Sequence, residues 1–278
     1  MNGRGGSDVY FYDQHCHTHL SFDSEEQPEN YIALGQNVLT LTEHLDLENP
    51  VNNGRDDIPN FDQMVAWQKN MKEDDVRLLL GVEVGYVPGQ KERLNEILTR
   101  YDFDIKLLSC HQNRVYDYMD TESTNPKVEA GLVMMDNYVD QLLEAVTEFT
   151  DVQIMTHFDY GFRVHDVSLD TIKKKYTEKF VAIFEQLVKH DIAFELNSKS
   201  IVKYDKLELY KWAIPLYQSV GGKLFTLGSD AHNASEYMLG FDELRALLKR
   251  YNVHEVALFE KNKMNLVELD ELQFINAK

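Results

Sequence analysis

Nine residues able to bind a divalent cation, six histidines and three carboxylates, fall at or just beyond the ends of short apolar runs. They occur as His15-Cys16-His17 with Asp23 a few residues on, Thr42-Glu43-His44, Gly81-Val82-Glu83, Ser109-Cys110-His111, Thr156-His157-Phe158-Asp159 and Gly228-Ser229-Asp230-Ala231-His232. On an extended backbone, residues two apart share a face, so His15 and His17 point together while Cys16 points away. One such pair proves little, because ten histidines in 278 residues give roughly 0.36 chance His-x-His pairs. A single strand-end histidine reads equally well as a half-buried packing residue. Together, however, these groups would leave many buried polar atoms uncompensated unless cations sit among them.

Imidazole and carboxylate without thiolate suit zinc, manganese or iron at an open catalytic site, whereas a closed structural zinc favours cysteine. Cys16 and Cys110 are accordingly expected to be reduced core residues. Asp23, Glu83 and Asp230 against three dications would leave about three positive charges at the site. That would draw in an anionic phosphate ester in spite of a formal charge of -19, a balance that opposes nucleic acid as a partner. Two cations can activate a bridging hydroxide and hold phosphoryl oxygens during in-line displacement. Monoester hydrolysis is slow enough in water to need such help, since one acid or base contributes only about 10²- to 10⁴-fold. Glu83, Asp230 and His232 are the expected catalytic residues.

Arg163, in His157-Phe158-Asp159-Tyr160-Gly161-Phe162-Arg163, is the first candidate to grip phosphate, because a guanidinium fork matches its oxygens. A surface ion pair is the alternative reading of the same residue. Arg114, three past His111, is the second candidate. Asn197 and Ser198, in Glu195-Leu196-Asn197-Ser198-Lys199, offer further substrate contacts, with Glu195 or Asn197 placed to orient a substrate amine. Helix capping and support of the ligands remain equally open for that run. His19, His165, His190 and His254 read as non-ligands, and Glu43 alternates away from His44 as a supporting group.

Positioning these residues requires strands, and the apolar runs supply them at 9–15, 37–44, 77–87, 105–111, 152–159, 192–197 and 223–230, with 255–259 a weaker eighth. Helical periodicity occupies 91–101, 137–149, 169–190, 207–220 and 241–251. Strands alternating with helices predict a parallel sheet, and seven or eight such units predict a barrel with its chemistry at the carboxyl ends of the strands. The polar segments 48–60 and 112–127 read as long loops at that end and as candidate lids. There is no repeat, no linker composition and no apolar run long enough to span a bilayer. One domain over 8–278 is expected, with a loose glycine-rich start at 1–7, in a cytoplasmic protein whose oligomeric state is left open.

The ordered set Asp13-Gln14-His15-Cys16-His17-Thr18, Ser21, Thr42-Glu43-His44, Gly81-Val82-Glu83, His111, His157 and Gly228-Ser229-Asp230-Ala231-His232 resembles the polymerase and histidinol phosphatase (PHP) family. Within it, the run from His17 to Ser24 and Ser109-Cys110-His111 are similar to the bacterial monofunctional histidinol-phosphatase branch. The resemblance implies an α/β fold, a distorted (β/α)7 TIM-like barrel with two to three divalent ions at the C-terminal mouth of the strands. It implies a first ion on His15, His17, Glu83 and Asp230, and a second sharing Glu83 and adding His111 and His157. A third would take Asp23, His44 and His232, with Asp23 standing where several relatives carry histidine. The implied substrate is L-histidinol phosphate, a step of histidine biosynthesis; another small ester or a nucleotide is the alternative within the family. An amidohydrolase also begins with His-x-His, but Glu83 and the Asp230-Ala231-His232 run fit it poorly.

Overall fold

In a computed structural model of the chain, residues 9–71, 76–120 and 128–275 are described. The glycine-rich start expected over 1–7 and residues 121–127 of the second polar segment lie outside them. The strands are β1 (Val9–Tyr10), β2 (Val38–Asn49), β3 (Arg55–Asp57), β4 (Arg77–Gly85), β5 (Ile105–Ser109), β6 (Ile154–Met155), β7 (Ala193–Asn197), β8 (Phe225–Gly228), β9 (Glu255–Glu260), β10 (Lys263–Glu268) and β11 (Leu272–Gln273). The helices are α1 (Pro28–Ile32), α2 (Phe61–Asn70), α3 (Lys91–Leu98), α4 (Val128–Glu148), α5 (Leu169–Lys189), α6 (Ser198–Val202), α7 (Leu207–Ser219) and α8 (Phe241–Arg250).

Seven strands form one sheet in the order β3-β2-β4-β5-β6-β7-β8, parallel except for β3. Every residue of β5 and β7 is buried, the near-continuous apolar character of strands covered on both faces. One cover is α5, which starts where the Ser168 hydroxyl accepts the Thr171 N–H and buries Ile172, Tyr176, Phe180, Phe184 and Leu187 at helical spacing. Its Phe180 and Phe184 meet Phe158 and Phe194 edge-on or tilted, with ring centroids 5.3 to 5.5 Å apart. Parallel strands joined through helices bring their carboxyl ends to one edge, and that edge carries the metal-binding residue types.

Four expectations change. Of the first run, only Val9 and Tyr10 pair in a ladder, with β11. Beyond them the chain is held by single bonds, and the His15 N–H is turned onto Asp13 Oδ1 rather than onto a neighbouring strand. His15 O accepts from Asp230 N (2.8 Å), His17 N donates to Ala231 O (2.8 Å) and Cys16 O accepts from Thr42 N (2.9 Å). This segment therefore lies between the end of β8 and β2. The eighth run is present as β9 but pairs antiparallel with β10, outside the large sheet. Its Ala257 and Phe259 instead pack on Ile105, Leu107, Ile154 and Ala193, the apolar layer beneath the site.

The polar segment 48–60 is a hairpin arm rather than a loop. β2 continues to Asn49 and the chain returns as β3, through Asn53 and Gly54 at φ of 56° and 72°. An Asn-Gly pair supplies the left-handed conformations that such a return needs. Finally, α4 begins at Val128, well before 137, since Leu132, Met135, Val139 and Leu142 continue one apolar face. No helix of the described residues is long and apolar enough to cross a membrane.

Candidate metal centre

Glu83, fully buried at the end of β4, is the hub of the cluster. Its Oε2 lies 3.1 Å from His15 Nε2, 3.3 Å from His17 Nε2 and 3.1 Å from His44 Nδ1. Its Oε1 lies 3.0 Å from His111 Nε2 and 2.8 Å from His157 Nε2. Asp230 Oδ1 approaches His15 (3.8 Å), His17 (3.6 Å) and His232 (3.5 Å), while Asp23 Oδ2 approaches His44 (3.5 Å) and His232 (3.1 Å). All nine residues singled out in the sequence come together. Four overlapping triads have ligand atoms within 4.8 Å of one another: His15-His17-Glu83, His15-His157-Asp230, His44-Glu83-His111 and His17-His44-His232.

A second layer fixes these side chains; Glu43 and the Glu195 run are open to such a role in the sequence, whereas nothing there singles out Asp46. Glu195 Oε1 accepts from His15 Nδ1 at 2.7 Å, and its Oε2 accepts from His157 N at 3.0 Å. Asp46 sits 3.1 Å from His111 Nδ1. Each carboxylate holds one ring nitrogen, which leaves the other directed at Glu83. Two glycines make room for them: a Cβ on Gly228 would strike the Glu195 carboxylate, and one on Gly85 the Asp46 carboxylate. Asp13 Oδ1 accepts from both His15 N and Ser229 N (3.1 Å each), tying the first motif to the last. Glu43 accepts from Thr18 and Ser21, turned away from His44 as alternation requires. Asp230 sits at φ 55°, a left-handed turn that aspartate tolerates better than most residues, and so aims its carboxylate back over the strand ends.

The cluster forms one wall of a cavity of about 210 Å³, also lined by Phe22, Asp117, Met119, Tyr160, Arg163, Lys199 and Tyr204. Arg163 is buried, its Nε and Nη2 donating to Ser200 Oγ (3.2 and 2.8 Å) and Nη2 to Asn197 Oδ1 (3.3 Å). Asp159 and Asp230 flank it at 3.6 and 3.5 Å, and the rings of Tyr160 and Tyr204 face its Cζ at 5.1 and 5.0 Å. Lys199 Nζ reaches Asp230 Oδ1 (3.3 Å) and His232 Nδ1 (2.9 Å). The other sequence candidates lie elsewhere. Arg114 is 40% exposed in its side chain and pairs with Glu48 (3.0 Å), away from the cavity lining. Asn197 caps α6 by accepting from Ser200 N, and Ser198 is buried beside a separate small pocket with Ser229 and Leu239. The Asn197 side chain thus starts α6 while also holding Arg163 and Glu195, and neither Asn197 nor Ser198 lines the cavity.

Burial opposes ionisation of Glu83 and Asp230, but the cations around them win: His15, His111 and His44 hold Glu83 well below the usual carboxylate range, and Lys199 and His15 do the same for Asp230. His17 moves the other way, its imidazole pKa pushed down by burial and then by His44 and His232. Burial also disfavours charge on Arg163, yet Asp159 and Asp230 outweigh it and keep the guanidinium protonated. The ionised carboxylates and neutral His17 are in the states a cation requires of its ligands, whereas at His15, His44 and His111 burial is outweighed by neighbouring carboxylates that raise the pKa, and these three would give up their protons as an ion bound. His17 Nε2 and His44 Nδ1 are moreover buried without hydrogen-bond partners, and both face Glu83 Oε2. Orphaned buried nitrogens are costly unless something electrophilic satisfies them, so the residues fit divalent ions.

Comparison with known proteins adds the following. Residues 13–199 match the PHP domain family. The histidinol-phosphatase of Lactococcus lactis subsp. lactis is 28% identical over 269 residues, spanning 92% of this chain and 98% of that protein. The probable histidinol-phosphatase of Clostridium acetobutylicum is 27% identical across 91% of this chain and 98% of its own. The crystal structure of the L. lactis histidinol phosphate phosphatase, complexed with zinc, L-histidinol and phosphate, superposes with a TM-score of 0.76 at 25% identity, covering 91% of this chain and 98% of that one.

Proposed function

This chain belongs to the PHP domain family, and on that premise we propose that it is a metal-dependent phosphomonoesterase hydrolysing L-histidinol phosphate to L-histidinol and phosphate. The observation that carries this reading is a cluster of nine convergent candidate ligands, six of them lining one cavity beside a buried arginine. Near full-length similarity to a phosphatase whose structure holds zinc, L-histidinol and phosphate supplies the substrate. We take residues 8–278 as one domain, a distorted (β/α)7 barrel closed by the segment around His15 and Cys16, with two to three ions of zinc, manganese or iron at its C-terminal mouth. Histidine biosynthesis in the cytoplasm is the setting this implies.

His15, His17, Glu83 and Asp230 would hold the first ion, Glu83, His111 and His157 the second, and Asp23, His44 and His232 the third. When bound, such ions lower the pKa of water and neutralise phosphoryl charge. The chain's own residues do the rest. Glu195 and Asp46 keep His15 and His111 oriented with one nitrogen free toward the centre. Ser200 and Asn197 occupy the Nε and Nη2 side of Arg163, so its Nη1, which meets only the weak acceptor Met119 Sδ at 4.0 Å, is the nitrogen left to donate to phosphoryl oxygens in the cavity. Lys199 adds charge beside Asp230 and His232. Tyr160, Tyr204 and Met119 line the cavity and would limit the water reaching a bound ester. Water oxygen bonds to phosphorus as the ester oxygen leaves with its electron pair and gains a proton.

The test is substrate profiling of metal-loaded enzyme on L-histidinol phosphate, nucleoside monophosphates and phosphotyrosine. L-histidinol phosphate should lead in kcat/KM by about 100-fold or more, the discrimination expected where charged groups of the leaving alcohol are recognised. Equal or better turnover of a nucleotide would overturn the substrate assignment.

A further inference from the structure

The cavity contains three acidic side chains, and two of them, Asp23 and Asp230, pair with histidines of the cluster. The third, Asp117, lies near His111 but forms no ion pair with the cluster. It lies in the segment after β5, where Asp117 pairs across a bridge with Gln112, and its Oδ1 accepts from Met119 N at 2.7 Å. The Tyr160 hydroxyl donates to the same carboxylate at 3.1 Å. None of the described lysines, arginines or histidines forms an ion pair with it. Tyr160 stands between opposite charges, its hydroxyl on Asp117 and its ring against Arg163. Arg163 takes its acidic partners from Asp159 and Asp230 instead.

The cavity is therefore electrically polarised. Arg163 and Lys199 stand beside the cluster, whereas Asp117, separated from Arg163 by Tyr160 and Met119, is a fixed carboxylate that repels phosphate. Such a site orients a ligand with an anionic and a cationic end. Glu195 and Asn197, the groups that sequence offered for a substrate amine, are turned inward on His15, His157 and Arg163, which leaves Asp117 for that role.

We propose that Asp117 is the specificity-determining residue of this site, its carboxylate receiving the primary ammonium group of the leaving alcohol while phosphate lies toward Arg163. This rests on the phosphatase reading above and deepens it. Phosphate esters whose alcohol carries an ammonium group at this reach are selected, and esters of neutral alcohols are penalised.

Asp117→Asn keeps an oxygen for Met119 N and Tyr160 but removes the charge. The experiment measures kcat and KM of parent and variant, metal-loaded, on L-histidinol phosphate, on its counterpart lacking the amine, and on phenyl phosphate. For the variant, kcat/KM on L-histidinol phosphate should fall about 10- to 100-fold, mainly through KM, the size expected for losing one charge-assisted pair in a partly open site. The two esters without an ammonium group should be turned over at least as well as by the parent, since the charge that penalised them is gone. An equal loss on all three esters would make Asp117 a structural support and overturn the inference, as would no loss on any. A parent indifferent to the amine overturns it while leaving the phosphatase reading intact. A parent that hydrolyses phenyl phosphate but not L-histidinol phosphate overturns both.

Discussion

Consecutive strands β5 and β6 each deliver a histidine to the cluster and then, a few residues later, an arginine, but the two arginines have opposite surroundings. After β6 the chain turns at once through the short helical turn Tyr160–Phe162, which swings Arg163 under the cavity among Asp159, Asp230, Ser200 and two tyrosine rings. After β5 the chain leaves the cavity at Arg114, at φ 70°, where the side chain meets Glu48 and the Pro88 carbonyl near the surface. Desolvation separates them. A guanidinium that has lost water and is held by two carboxylates and a hydroxyl is pre-aimed, whereas an exposed one is screened and contributes little.

The cluster both arginines adjoin is the reference for that comparison, and Glu83→Gln should disable it most. The replacement keeps size and removes a charge met by five histidines, so kcat should fall on the order of 10³-fold or more with the thermal unfolding profile retained. Parental turnover at full metal loading would exclude a central role for Glu83.

Arg163→Ala comes next, with an expected loss in kcat/KM of about 30- to 1000-fold, or about 2 to 4 kcal/mol, at unchanged metal content. Arg163→Lys should recover part of that loss, because an ammonium supplies charge without the fork. Elemental analysis beside the kinetics decides whether phosphate binding or metal binding was damaged.

Ser200→Ala sharpens the comparison by loosening Arg163 without discharging it. Ser200 bridges Arg163 and Asp159, accepting from the one and donating to the other at 2.8 Å, and its removal should cost about 3- to 10-fold in kcat/KM, the effect of one hydrogen bond. If Ser200→Ala matches Arg163→Ala, the orientation of the arginine matters as much as its presence. The smallest effect belongs to Arg114→Ala, expected to change kcat/KM by less than about 2-fold, as for other exposed ion pairs. A crippled Arg114→Ala beside a normal Arg163→Ala would reverse the comparison and put the phosphate after β5.

Some of this was legible in advance for a definite reason. Ligand residues at strand ends are a local pattern, and parallel strands necessarily bring those ends to one edge, so the nine candidate ligands could be named without coordinates. Asp46, Asp117, Tyr204 and Asp159 could not, because an acid or a phenol in a polar stretch looks the same whether it faces solvent or a cavity. Asn197 and Ser198 kept two readings open for a related reason: a residue suited to bind substrate is equally suited to cap a helix, and Asn197 caps α6. The segments 48–60 and 112–127 read alike as polar loops, yet one folds into a hairpin arm and the other sends Asp117 and Met119 into the cavity.

By itself, then, the sequence determined the alternation of strand and helix, the identity of the candidate ligands and the acidity that requires positive charge inside the site. These depend on residue type and short-range spacing, which a chain carries before it folds. Only the tertiary structure decided which arginine faces the cavity, which carboxylates orient His15 and His111, and where β9 packs. Those outcomes depend on burial and on contacts between residues far apart in the chain, such as Asp13 with Ser229 and His15 with Glu195, and such distances exist only once the sheet has formed.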